Sequence, residues 1–175
     1  KQLETKTIAY VTLGDDDGSV FLNELKKYSK IQEIQSENLD DLNSKLKSFN
    51  TVIVGFHKSN ANPWKSYKFS DKELVWLYEI ARTHTVILDV FVKPYALADL
   101  KTVENIESII VRYQNCDIAQ QRSAQLIFGA IASKGNLPVS IGEFFKAGDG
   151  IQNNDLERLS YTMPERAGMS SKKLA

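Results

Sequence analysis

Five short β-rich runs, each followed by a segment of helical period, constrain this chain more than any other feature of it. The clearest pairing is Ser108–Tyr113 with the segment after it. Ile109, Ile110 and Val111 form a β-branched run of the kind that fills a sheet covered on both faces. After the short loop Gln114-Asn115-Cys116, a helix is expected from about Asp117 to Ala132. There Ala119, Ser123, Leu126, Ile127 and Ala130 fall at i, i+4, i+7, i+8 and i+11, a narrow small-to-apolar stripe. Asp117 is placed to cap the first turn, and Gly135 and Pro138 stop the chain from continuing as helix. Gly135–Val139 is expected as an extended run that closes the unit.

The same alternation runs from the start. Lys6–Leu13 reads as a first strand, closed by the acidic loop Gly14-Asp15-Asp16-Asp17-Gly18. Val20–Tyr28 has Phe21, Leu22 and Leu25 at helical spacing, with Ser19 as the expected N-cap. Lys30–Gln35 is a short, polar second strand, expected near an edge. Asn38–Phe49 puts Leu39, Leu42, Leu46 and Phe49 on one helical stripe, and Thr51–Gly55 is a buried third strand. Phe56–Phe69 reads as a long loop. Ser70-Asp71-Lys72-Glu73 is a capping box opening a helix to about His84. Thr85–Val92 is the fourth strand, followed by the turn Lys93-Pro94-Tyr95 and a short helix over Ala96–Val103.

Strands alternating with helices in this way predict a three-layer, doubly wound, mainly parallel α/β sheet, a flavodoxin-like or Rossmann-like sandwich. It is expected to occupy residues 1–150, with 151–175 as linker. Ligands of such sheets bind at the carboxyl ends of the strands. The candidates at that edge are Asp15, Asp16, Asp17, His57, Trp64 and Tyr95. None of them is assigned a catalytic role.

Composition narrows the function classes. Lys+Arg and Asp+Glu are both 22, and no basic excess suggests a nucleic-acid partner. The longest apolar run, around Val86–Val92, is interrupted by Asp89 and is too short to span a bilayer. Cys116 is the lone cysteine, so no internal disulfide and no cysteine-based metal cluster is expected. The glycines of the first loop are separated by three aspartates that would repel a phosphate, so no nucleotide cofactor is expected.

The acidic loop occupies the place where receiver domains of the same topology hold Mg²⁺. A receiver also wants an Asp at the end of the third strand, where Gly55-Phe56-His57 stands. A solvated turn or an interdomain contact is therefore the favoured reading, with no metal. His57 sits where a catalytic base would sit, without a carboxylate near it in sequence. His84, at a helix C-terminus, complements the dipole. Ser170-Ser171-Lys172-Lys173 formally matches S-x-x-K but lies beside the chain end without partner motifs, and it is read as accidental.

A family resemblance is carried by Tyr113-Gln114-Asn115, Ala119-Gln120-Gln121-Arg122-Ser123-Ala124, Leu126-Ile127-Phe128-Gly129 and Gly135-Asn136-Leu137-Pro138-Val139. Together with Pro94-Tyr95 and Ala147-Gly148-Asp149-Gly150-Ile151, they resemble the C-terminal α/β sandwich domain of family 3 glycoside hydrolases over roughly residues 5–151. The resemblance implies a domain without catalytic groups of its own. The nucleophile would lie on a preceding TIM barrel. The β-glucosidase branch takes its acid/base Glu from the loop after the third strand, and Phe56–Phe69 contains no Asp or Glu. That favours the β-N-acetylglucosaminidase branch, acting on peptidoglycan-type sugars.

Pro164–Leu174 is similar to the lead-in of serine β-lactamase-like domains. A fusion of barrel, sandwich and serine hydrolase in a bacterial periplasm or cell envelope is the implied context, with glycan as a further partner. The alternative is a free-standing receiver- or flavodoxin-like binding module that uses the Asp15–Asp17 loop.

Overall fold

In the computed structural model, residues 7–59, 64–153 and 163–174 are described. Five strands, β1 (Ile8–Gly14), β2 (Ile31–Glu33), β3 (Thr51–His57), β4 (Thr85–Phe91) and β5 (Ile106–Val111), form one sheet. Its order is β2-β1-β3-β4-β5, and every pairing is parallel. This is the flavodoxin-like doubly wound order, with its switch point between β1 and β3. The expected fold class is the one found.

The period of two in the strands sorts the core into two layers. Ala9, Val11, Leu13, Val52, Val54, Phe56, Val86, Leu88 and Val90 point to one face. They meet α2 (Leu39–Leu46), α3 (Asp71–Thr83) and a 3₁₀ turn (Pro94–Asp99). Ile8, Tyr10, Ile53 and Phe91 point to the other face, beneath α1 (Ser19–Leu25) and α4 (Asp117–Ile127). β3 lies at the centre and is buried along its whole length.

α3 begins as expected. Ser70 accepts from the Glu73 amide, and the Glu73 carboxylate accepts from the Ser70 amide, satisfying two of the helix's orphan donors. The other Glu73 oxygen pairs with Lys58 at 3.3 Å, just past the end of β3.

Several boundaries differ from the sequence reading. β3 runs two residues further, to His57, because its register with β1 and β4 continues to Gly14 and Phe91. Gly18 is the N-cap residue of α1. Ser19 starts the helix, and its amide and hydroxyl both donate to Asp17. α4 stops at Ile127, and its N-cap residue is Cys116 without a side-chain cap bond. The segment expected as a short helix after β4 is the 3₁₀ turn. β5 is an edge strand, and Ile109, Ile110 and Val111 are half-buried. Gly135–Val139 forms no strand; Leu137 instead exchanges backbone bonds with Asp149 and Gly148.

Candidate functional site

The loop between β1 and α1 rests on a buried polar network at the carboxyl edge of the sheet. His57, the last residue of β3, is fully buried. Its ring stacks on Phe91 with centroids 4.4 Å apart. Nε2 lies 2.9 Å from the Tyr10 hydroxyl, and Nδ1 lies 3.0 Å from Asn115 Oδ1. The Asn115 amide donates to the Asp16 carboxylate and to the Asp17 carbonyl, each at 3.0 Å. Both partners accept only, so Oδ1 of Asn115 must be the atom that faces His57. Nδ1 of His57 is therefore the donor, and Nε2 accepts from Tyr10. Burial pushes the His57 pKa below its ordinary value, which favours this neutral ring.

Gln120, buried on α4, completes the arrangement. Its amide donates to Asn115 Oδ1 and to the Asp17 carbonyl, while its own oxygen accepts from the Phe21 amide at 2.8 Å. Glycines make the fit sterically possible. A Cβ at Gly55 would lie 2.6 Å from His57 Nε2, and one at Gly18 would lie 2.5 Å from the Tyr10 hydroxyl. The three loop carboxylates thus differ in role. Asp17 holds the first turn of α1, which draws its pKa down through the two bonds from Ser19. Asp16 is tied to Asn115 and to the Asp17 amide. Asp15 is exposed, with Lys65 at 3.9 Å.

Of the other expected site residues, Trp64 is 92% exposed, next in sequence to Lys65, and Tyr95 is 49% exposed on the 3₁₀ turn. The structure brings Asp15, Asp16, Asp17 and His57 together; His57 reaches the Asp16 carboxylate and the Asp17 backbone carbonyl through Asn115. Among the described residues, no group of three or more His, Cys, Asp or Glu side chains is arranged to hold a metal ion. No helix among them is long and apolar enough to cross a membrane.

The sequence reading missed Tyr10, Asn115 and Gln120 as members of this network, since nothing in their spacing marks it. It also missed a second polar cluster on the same face. Asp89, in the middle of β4, is completely buried and accepts from the Ser123 hydroxyl of α4. Arg112 Nε donates to that hydroxyl at 2.7 Å. The other Asp89 oxygen has no hydrogen-bond partner among the described residues. A charge interrupting the apolar run Val86–Val92 was the available signal.

No protein-family profile matches the chain, and no curated protein matches it. Among solved structures, a CheY-like protein (TadZ) from Pseudomonas aeruginosa aligns at 12% identity and a TM-score of 0.35. The alignment covers 74% of this chain and 99% of that one. A likeness at that level says nothing about function; the fold stands on the strand pairings above.

These findings correct the expected membership of glycoside hydrolase family 3. No profile of that family matches, and no curated protein of it does either. The β-N-acetylglucosaminidase activity, the peptidoglycan-type substrate and the glycan partner go with it. So does the TIM-barrel neighbour, which that family implied. The serine-hydrolase neighbour, implied by the likeness of Pro164–Leu174 to a β-lactamase-like lead-in, falls with it, since no family profile of either kind matches. The residues that carried the resemblance have local roles here. Gln120 secures the acidic loop, Ser123 bonds Asp89, and Gly135–Val139 is not a strand.

Proposed function

We propose that this chain is a binding module of receiver- or flavodoxin-like topology, whose contact element is the Asp15–Asp17 loop and whose partner presents cationic groups, such as a lysine- or arginine-rich protein segment. The observation that carries the reading is the rigid presentation of the loop. Asp16 and Asp17 are held by Asn115, Gln120 and Ser19, while Asp15 stays exposed at the rim. Carboxylates fixed in advance bind a cationic partner with less ordering cost than mobile ones.

The two better-known chemistries of this topology fit the residues less well. A receiver needs a phospho-accepting Asp at the end of β3. His57 is there, buried, with both ring nitrogens engaged. A flavin phosphate needs amide donors in a loop free of negative charge, and this loop carries three aspartates.

The test is an ¹⁵N–¹H NMR titration of the chain with an oligo-arginine peptide and, separately, with Mg²⁺ and FMN. The peptide is expected to shift the Gly14–Ser19 amides saturably, and Asp15→Asn is expected to weaken it. Unmoved loop amides overturn the reading, and so does a saturable response to Mg²⁺ or FMN alone.

A further inference from the structure

α4 is held to the sheet by polar side chains more than by apolar ones. Its buried residues are Gln120, Ser123 and Ala124, and only Ala124 belongs to the apolar core; Ala119 and Ile127 pack against it partly buried. Two buried polar side chains anchor the helix. Gln120 reaches the Asp17 carbonyl and the Phe21 amide, so it fastens α4 to the acidic loop and to α1. Ser123 reaches down to Asp89, whose second oxygen is buried without a donor among the described residues. An unpaired buried oxygen costs far more as half of a carboxylate than as the carbonyl of a neutral acid, whose own hydroxyl donates to Ser123 Oγ.

We propose that Asp89 is a latch on α4: its neutral form lets the helix dock, and its charged form favours local opening that also releases the Phe21 amide and the acidic loop. The groups around it set the direction. Arg112, just past the end of β5, is the cation on its side, but its Nε is committed to Ser123 and another of its nitrogens to the Arg122 carbonyl at 3.3 Å. β3 faces Asp89 with Gly55, and α4 faces it with Ser123. Tyr10 of β1 feels its charge, and burial holds that phenol well above its usual range, hence neutral. Burial outweighs the Ser123 bond and the Arg112 cation and lifts Asp89 to about 7, against an ordinary value near 3.8. His57 titrates on the same face in the opposite sense, and it is common to any pair of variants that differ only at Asp89.

The experiment is native-state hydrogen exchange on the full chain and on Asp89→Asn, followed from about pH 5 to 7 as protection factors. The ratio of α4 opening in the wild type to that in the variant is expected to rise by up to about tenfold per pH unit. The Phe21 amide should follow α4, while β1 and β3 amides stay protected. A constant ratio overturns the latch, as does exchange of α4 in step with the central strands. Should Asp89→Asn not fold, Ser123→Ala supplies the second test. It removes the Ser123 donor to Asp89 and is expected to open α4 more at pH 7 than at pH 5. Equal opening at both overturns the proposal.

Discussion

At the scale of single residues, two glycines show how local geometry and tertiary contact combine. Gly14 has a φ of +100°, and a Cβ there would be driven into the His57 carbonyl, which accepts the Asp15 amide at 3.0 Å. Gly129 also has a positive φ, +71°, but a Cβ there meets nothing. Gly129→Ala is therefore expected to cost about 1 kcal/mol, from backbone strain alone. Gly14→Ala adds a clash with backbone that cannot step aside, for about 2–5 kcal/mol in total. Urea unfolding of both variants measures the difference, and equal costs would contradict this account of the β1–α1 loop.

His57 teaches a related point. A histidine at a strand end in a ligand-binding edge has the address of a catalytic base. Its two nitrogens are spent on Tyr10 and Asn115, and burial keeps it neutral. Position along the chain described where it stood, and only its neighbours revealed what it does there.

Among the elements, α3 and α4 contrast in how they are started and held. α3 has a reciprocal capping box and buries Leu74, Leu77, Ile80 and Ala81. α4 begins at Cys116, whose backbone has the extended geometry of an N-cap (φ −140°, ψ 159°) but whose side chain makes no cap bond. Cys116→Ser places a good acceptor at that position. It is expected to raise stability by about 0.5–1 kcal/mol, read as a higher urea midpoint with an unchanged slope. No change or a loss would show that the Cys116 side chain has a role the cap cannot replace. β5 holds a further lesson. Its β-branched run read as a strand covered on both sides, yet it closes the sheet and is half-buried. β-branched composition identifies a strand, but strand order decides how much of it is covered.

For the whole molecule, two buried titrating groups on one face of the sheet act against each other. Asp89 has its pKa raised by burial to about 7, so the folded state binds a proton that the unfolded chain has released. Its contribution is present in acid and lost as pH rises from about 4 to about 7, by roughly 4 kcal/mol at most at ~1.4 kcal/mol per unit. His57 has its pKa lowered by burial, so the unfolded chain takes up its proton first. That stability is lost as pH falls below about 6.5. Where both titrate, just below pH 6.5, the slopes cancel and wild-type stability is expected to be nearly flat. Asp89→Asn should then become less stable with acidification in that window. Urea midpoints between about pH 5 and 7 check this, and parallel curves for the two proteins would refute the opposition.

Much of the architecture was legible in the sequence because it rests on local rules. A period of two in the strands, helical stripes between them and a capping box at Ser70 are written into neighbouring residues, and they lead to a parallel, doubly wound sheet. The resemblance to a hydrolase domain drew on the same signals and misled, since strand–loop–helix units of this composition serve any such sheet. What the tertiary structure decided was the meaning of the polar residues. Tyr10, His57, Asn115 and Gln120 are far apart in the chain and meet because β1, β3 and the start of α4 converge at one edge. Asp89, Ser123 and Arg112 meet under α4 for the same reason. A hydrogen bond is short-ranged and directional, so its partners cannot be read from composition or period; they exist only once the fold has put them within 3 Å of each other.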